Sequence, residues 1–123
     1  MQSGTVENGM KMEISEFGPV TVVKPIDQRM DAHSVVGFKA TMHEIADSGT
    51  DHVVLDMSRV EFMDSSGLGA LVAVLKHMSP DKKFEIAGLT AAVEKVFRLT
   101  RMDYVFKVHA SINDVIAPQK KAG

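Results

Sequence analysis

The stretch Phe62-Met63-Asp64-Ser65-Ser66-Gly67-Leu68-Gly69 joins two segments of opposite character. Upstream, Val53-Val54-Leu55 is an apolar β-type run; downstream, Leu68, Leu71, Val72 and Leu75 recur at helical spacing. Such a junction sets a carboxylate and two hydroxyls at the mouth of a helix, where the first backbone N–H groups lack partners. An ordinary N-cap accounts for one polar residue there and stabilises the helix by about 1 kcal/mol. It does not account for three in a row followed by Gly67 and Gly69, because glycine in a helix costs up to about 1 kcal/mol relative to alanine. Either another molecule approaches that bare backbone, or the helix packs tightly on a sheet. The pattern alone weighs the two equally. Hydroxyl, acid and helix N-terminus together make a place where a phosphate could be added and held.

Working outward, Met12, Ile14, Phe17, Val20, Val22 and Val23 read as a hairpin turning over Glu16 to Pro19 and ending at Pro25. Asp31 and Ser34 are candidate caps for a helix carrying Val35, Phe38, Met42 and Ile45, stopped by Asp47-Ser48-Gly49. His52 to Met57 is a continuous apolar run, as expected of a buried parallel strand. The helix after Asp64 ends before Pro80; Phe84, Ile86 and Leu89 suggest the next strand. Thr90 then caps a helix with Val93, Val96 and Phe97, and Tyr104 to His109 alternates as a last strand. Ser111-Ile112-Asn113-Asp114 opens a final helix with Val115 and Ile116. The order β-β-α-β-α-β-α-β-α predicts a single α/β domain over residues 11–117. Its sheet is mixed and mostly parallel, of about five strands, with four helices packed against it. Residues 1–10 are expected to form a flexible lead and 118–123 a flexible tail.

Composition narrows the function. The chain has 123 residues, 45% hydrophobic and 24% charged, with a net charge of −2. No basic face is indicated, so no nucleic-acid partner is expected. Without cysteine there is no disulfide, thiolate metal site or thiol catalysis. A nucleophile elbow requires glycine two residues before the serine, and Met63 stands there instead. His43-Glu44 starts like a zinc-protease helix, but Asp47 occupies the place of the second histidine. No phosphate-cradling Gly-x-x-x-x-Gly-Lys-Ser/Thr sequence occurs. The expectation is no catalytic residue, no metal and no cofactor. No apolar run approaches the roughly 20 residues that span a bilayer, and the N-terminus lacks a secretory signal. A cytoplasmic protein with no membrane association is the expectation.

Val60-Glu61-Phe62-Met63-Asp64-Ser65-Ser66-Gly67-Leu68-Gly69 resembles the phosphorylation loop of the STAS-domain anti-sigma factor antagonists, or anti-anti-sigma factors. Arg29-Met30-Asp31-Ala32 is similar to that family's Leu-Asp-Ala step into its first helix, with Met30 in place of leucine and no glycine near Asp27-Gln28. Val53-Val54-Leu55-Asp56 resembles the family's central strand, and Ile86-Ala87-Gly88-Leu89 followed by Val93, Val96 and Phe97 resembles its later strand-helix pair. The resemblance implies a STAS fold and a partner switch. It implies phosphorylation of Ser65, with Ser66 as second choice, by an anti-sigma factor with serine kinase activity, reversed by a PP2C-type phosphatase. Asp31, Met63, Asp64, Ser65, Ser66, Gly67 and Leu68 are the implied partner-binding residues of a monomer or weak dimer. Met30, Met63 and Phe62 are candidate apolar contacts, although any single methionine is more readily explained as core. The alternatives are a STAS scaffold or regulatory subunit of another signalling or transport assembly, or a nucleotide-binding module.

Overall fold

A computed structural model of the chain describes residues 10–122. In chain order the elements are β1 (Met12–Phe17), β2 (Val20–Pro25), β3 (Arg29–Met30), α1 (Val35–Asp47), β4 (His52–Asp56) and β5 (Phe62–Met63). There follow α2 (Ser65–His77), β6 (Lys83–Ala87), α3 (Ala91–Leu99), α4 (Met102–Val105), β7 (Val108–His109) and α5 (Asn113–Ala122). β1 and β2 form the expected antiparallel hairpin, with Gly18 at φ 59° in its turn. Parallel pairings then build a five-stranded sheet in the order β1-β2-β4-β6-β7.

Both faces of that sheet are covered, which is why the middle of β4, Val53-Val54-Leu55, is an unbroken apolar run. On one face Val23, Val53, Leu55 and Ile86 pack with Phe38 and Met42 of α1, Leu71 and Val74 of α2 and Phe97 of α3. On the other, Val20, Val22, Val54 and Ala87 meet Val115 and Ile116 of α5.

Three features depart from the sequence reading. The first is a second, two-stranded sheet in which β3 pairs with β5 in parallel. Two-residue strands carry no periodicity, so nothing in the sequence announces them. The second concerns the strand expected from Tyr104 to His109, which shrinks to Val108–His109. Arg101, at φ 63°, turns the chain after α3 and starts the single turn of α4, a fifth helix where four were expected. Phe106 alone of Tyr104, Phe106 and Val108 is buried, so the apolar alternation there marks no sheet face. The third is Pro118, which lies inside α5. The N-terminal lead expected over 1–10 lies outside the described residues except for Met10, which is buried in the core.

Turns beyond β4 carry the chain to the β3–β5 ribbon. Met57 N donates to Ala87 O (2.8 Å), Val60 N to Met57 O (3.0 Å), and the N–H groups of Glu61 and Phe62 both donate to Gln28 O (2.7 and 3.0 Å). The ribbon is thereby fixed before α2 begins.

Candidate functional site

Asp64 is the N-cap of α2, in extended conformation, and its Oδ1 accepts from Gly67 N at 3.1 Å. The capping explanation therefore holds for Asp64, and it leaves both serines over. Ser65 is the first residue of α2 and is exposed; Ser66 is half-buried. Neither hydroxyl has a hydrogen-bond partner among the described residues.

The two glycines have separate causes. Gly67 is buried, and a Cβ there would lie 2.6 Å from Met30 O and 2.8 Å from Met63 Cγ. Its bare backbone lets α2 close on the β3–β5 ribbon, which is packing. Gly69 is exposed, and a Cβ there would meet nothing within 4 Å. Steric need does not explain Gly69.

The methionines follow the same division. Met30 is 0% exposed and Met63 5%, so both belong to the core, and half-buried Leu68 packs against it. Phe62, at 40% exposed, is the aromatic that faces outward. Among the residues singled out from the sequence, Asp31, Asp64, Ser65 and Ser66 retain accessible surface, whereas Met63 and Gly67 act from beneath.

The ribbon brings together what the sequence separates. Arg29 pairs with Phe62 and Met30 with Met63 in parallel register, and Asp64 N donates to Met30 O at 3.4 Å. Asp31 and Asp64 thus leave neighbouring strand ends side by side. Asp31 Oδ1 accepts from His33 N (3.1 Å) and Ser34 N (3.3 Å), while its own N–H donates to Ser34 Oγ (3.0 Å). Arg29 Nε donates to Asp31 Oδ2 at 3.3 Å. Partial desolvation pushes the Asp31 carboxyl up, but the bonds from Arg29, Ser34 and His33 outweigh it and hold the group below the usual carboxylate value. The Arg29 guanidinium also lies 4.1 Å from the centre of the Phe62 ring, a cation–π stack across the ribbon. The sequence carries no local signal for this pair, because its partners are 33 positions apart and meet only through β3 and β5. An open depression whose lining includes Gln28, Arg29, Asp31 and His33 adjoins the stack. Among the described residues, no group of three or more histidine or acidic side chains is placed to hold a metal ion.

An α/β sheet with this strand order and an exposed serine after a capping aspartate agrees with a family match. The STAS domain family is matched over residues 11–115. The chain belongs to the STAS domain family. This STAS domain is 26% identical over 81 residues to an anti-sigma-B factor antagonist of Staphylococcus aureus, covering 65% of the chain and 75% of that protein. Its fold matches an anti-sigma factor antagonist from Mycobacterium paratuberculosis with TM-score 0.81 at 19% identity, over 95% of this chain and 99% of the other. It also matches the Bacillus cell fate determinant SpoIIAA in its phosphorylated form, with TM-score 0.65 at 18% identity, over 89% and 98% of the two chains. These relatives are regulatory proteins. No helix among the described residues of the STAS domain is long and apolar enough to cross a membrane.

Proposed function

We propose that this STAS domain is an anti-sigma factor antagonist that works as a phosphorylation-controlled switch without catalytic activity of its own. The unphosphorylated protein binds an anti-sigma factor that is also a serine kinase, and phosphorylation of Ser65 releases it. A PP2C-type phosphatase resets the switch. The observation that carries this reading is the Ser65 hydroxyl, exposed on the first turn of α2 and free of hydrogen bonds among the described residues, directly after the capping carboxylate of Asp64. The similarity to an anti-sigma-B factor antagonist and the existence of a phosphorylated relative of the same fold support it.

The mechanism is electrostatic. A phosphate on Ser65 adds about 1.5 to 2 negative charges. The N-terminus of α2 stabilises that charge within the domain. Across a partner interface the same charge is desolvated beside Asp64 and Asp31, and leaving a charge buried and unpaired costs about 2 to 5 kcal/mol. Release therefore needs no refolding.

Parallel pull-downs with Ser65→Ala and Ser65→Asp test this. The alanine form should retain the kinase partner without accepting phosphate, and the aspartate form should bind it more weakly. Equal capture of that partner by both forms would count against the switch, and stoichiometric phosphorylation of Ser65→Ala would move the site to Ser66.

A further inference from the structure

Resting on the reading of Ser65 as the acceptor, a further role falls to Arg29. Its side chain is 64% exposed, stacked on Phe62 and ion-paired to Asp31 at 3.3 Å. An exposed pair of this kind is weakly held, because water screens it and two mobile side chains must be ordered to make it. Asp31 does not depend on it. Its other oxygen is already engaged by the N–H groups of His33 and Ser34, so Arg29 can depart without leaving the carboxylate unpartnered.

The ribbon sets Arg29 on the strand beside the one that leads into Ser65. Arg29 lies opposite Phe62, three positions before Ser65, on strands about 4.8 Å apart. The next residue, Met30, accepts through its carbonyl from the N–H of Asp64, which immediately precedes Ser65. Charged and titratable groups on the elements around the ribbon include Asp31 and His33 from the turn into α1, Asp64 from the cap of α2, Arg59 and Glu61 ahead of β5, and Glu94, Lys95 and Arg98 on α3, which packs against β5. A phosphate on Ser65 thus enters a neighbourhood that holds the carboxylates of Asp31 and Asp64, and Arg29 is the cation already paired with one of them and stacked on the ribbon. Phosphate also offers more charge than Asp31 and three acceptor oxygens that suit the planar fork of a guanidinium.

We propose that Arg29 receives the phosphate of phosphorylated Ser65, giving up Asp31 and the face of Phe62 to do so. Phosphorylation then changes the binding surface twice. It adds negative charge at Ser65, and it withdraws the stacked Arg29 cation from Phe62, leaving that ring and Asp31 in altered surroundings.

The test uses the full chain with phosphoserine installed at position 65 during translation, so that no kinase is needed. In a ³¹P NMR titration the phosphate of the otherwise unaltered protein should lose its second proton about one pH unit lower than in Arg29→Gln, with Arg29→Lys between them. The Arg29 Nε–Hε NMR resonance should also move between the unphosphorylated and phosphorylated proteins, a reading that requires no substitution. Coincident phosphate titrations in the unaltered and Arg29→Gln proteins, or an unmoved Nε–Hε resonance, would overturn the proposal. Failure of cellular kinases to modify Ser65 would instead count against the acceptor assignment, and the two failures are separable because the titration bypasses the kinase.

Discussion

At the β6-to-α3 junction Thr90 turns its hydroxyl inward and donates to Val60 O at 2.8 Å, whereas at the β5-to-α2 junction Ser65 holds its hydroxyl outward with no partner among the described residues. Both junctions follow a strand and open a helix, with Thr90 at the N-cap of α3 and Ser65 one residue past the N-cap of α2. Thr90 makes no side-chain cap bond, and its oxygen is instead used to tie α3 to the turn ahead of β5. Asp64 does cap α2, through Gly67 N. Because the acid serves the helix end, the neighbouring hydroxyl has no capping bond to make among the described residues. The contrast separates a structural hydroxyl from an available one on grounds of bonding rather than of residue type.

The largest expected effect lies under the α2 junction. Gly67→Ala would place a Cβ 2.6 Å from a backbone carbonyl, which cannot swing aside as a side chain could. Overpacking of this kind should destabilise the fold by about 1 to 3 kcal/mol, read as a lower urea midpoint. An unchanged midpoint would remove the packing account of Gly67. Next in size is Thr90→Val, which leaves Val60 O without its hydroxyl donor and should cost about 1 kcal/mol. Ser65→Ala should stay within about 0.5 kcal/mol of the parent in the same assay. Equal losses at the two sites would erase the distinction between them.

Gly69→Ala sharpens the comparison with the opposite sign. With open space around the new methyl group and lower backbone entropy in the unfolded chain, it should stabilise the protein by roughly 0.5 kcal/mol. If it also weakens partner capture, Gly69 is bare for the partner's sake.

The smallest effect is on the β6 side. Burial pushes the Glu85 carboxyl up, but hydrogen bonds from His109 and His52, each 2.9 Å, outweigh this and hold it below 4.5. A lowered carboxylate contributes stability that is present above its unfolded-state value and lost as pH falls through the folded one. Glu85→Gln should therefore flatten the acid side of the stability profile below about pH 4.5 and spare the α2 junction.

Much of this contrast could be read in advance, and the unread part has a common physical origin. The hairpin, α1, β4, α2, β6 and α3 each carry a local period or a turn signal, and Asp64 and Ser65 stand at a visible change of period. The partners of those residues do not. Arg29 and Phe62 meet through a two-residue ribbon whose pairing is wholly non-local, so neither residue advertises the other. The glycines illustrate the same limit. Gly67 and Gly69 look alike in sequence, and only the position of Met30 shows that one is under steric constraint and the other is not. The region from Tyr104 to Val108 misled in the opposite way, since an alternating apolar pattern there is spread over a helical turn and a short edge strand.

The proposed switch depends on one hydroxyl, and fragment-ion mass spectrometry of the protein recovered from the cells that make it tests that hydroxyl most directly. Parent and Ser66→Ala proteins should each carry a single phosphate on Ser65, removable by a PP2C-type phosphatase, and Ser65→Ala should carry none. A phosphate found on Ser66 in the parent protein, or persisting undiminished in Ser65→Ala, would contradict the account.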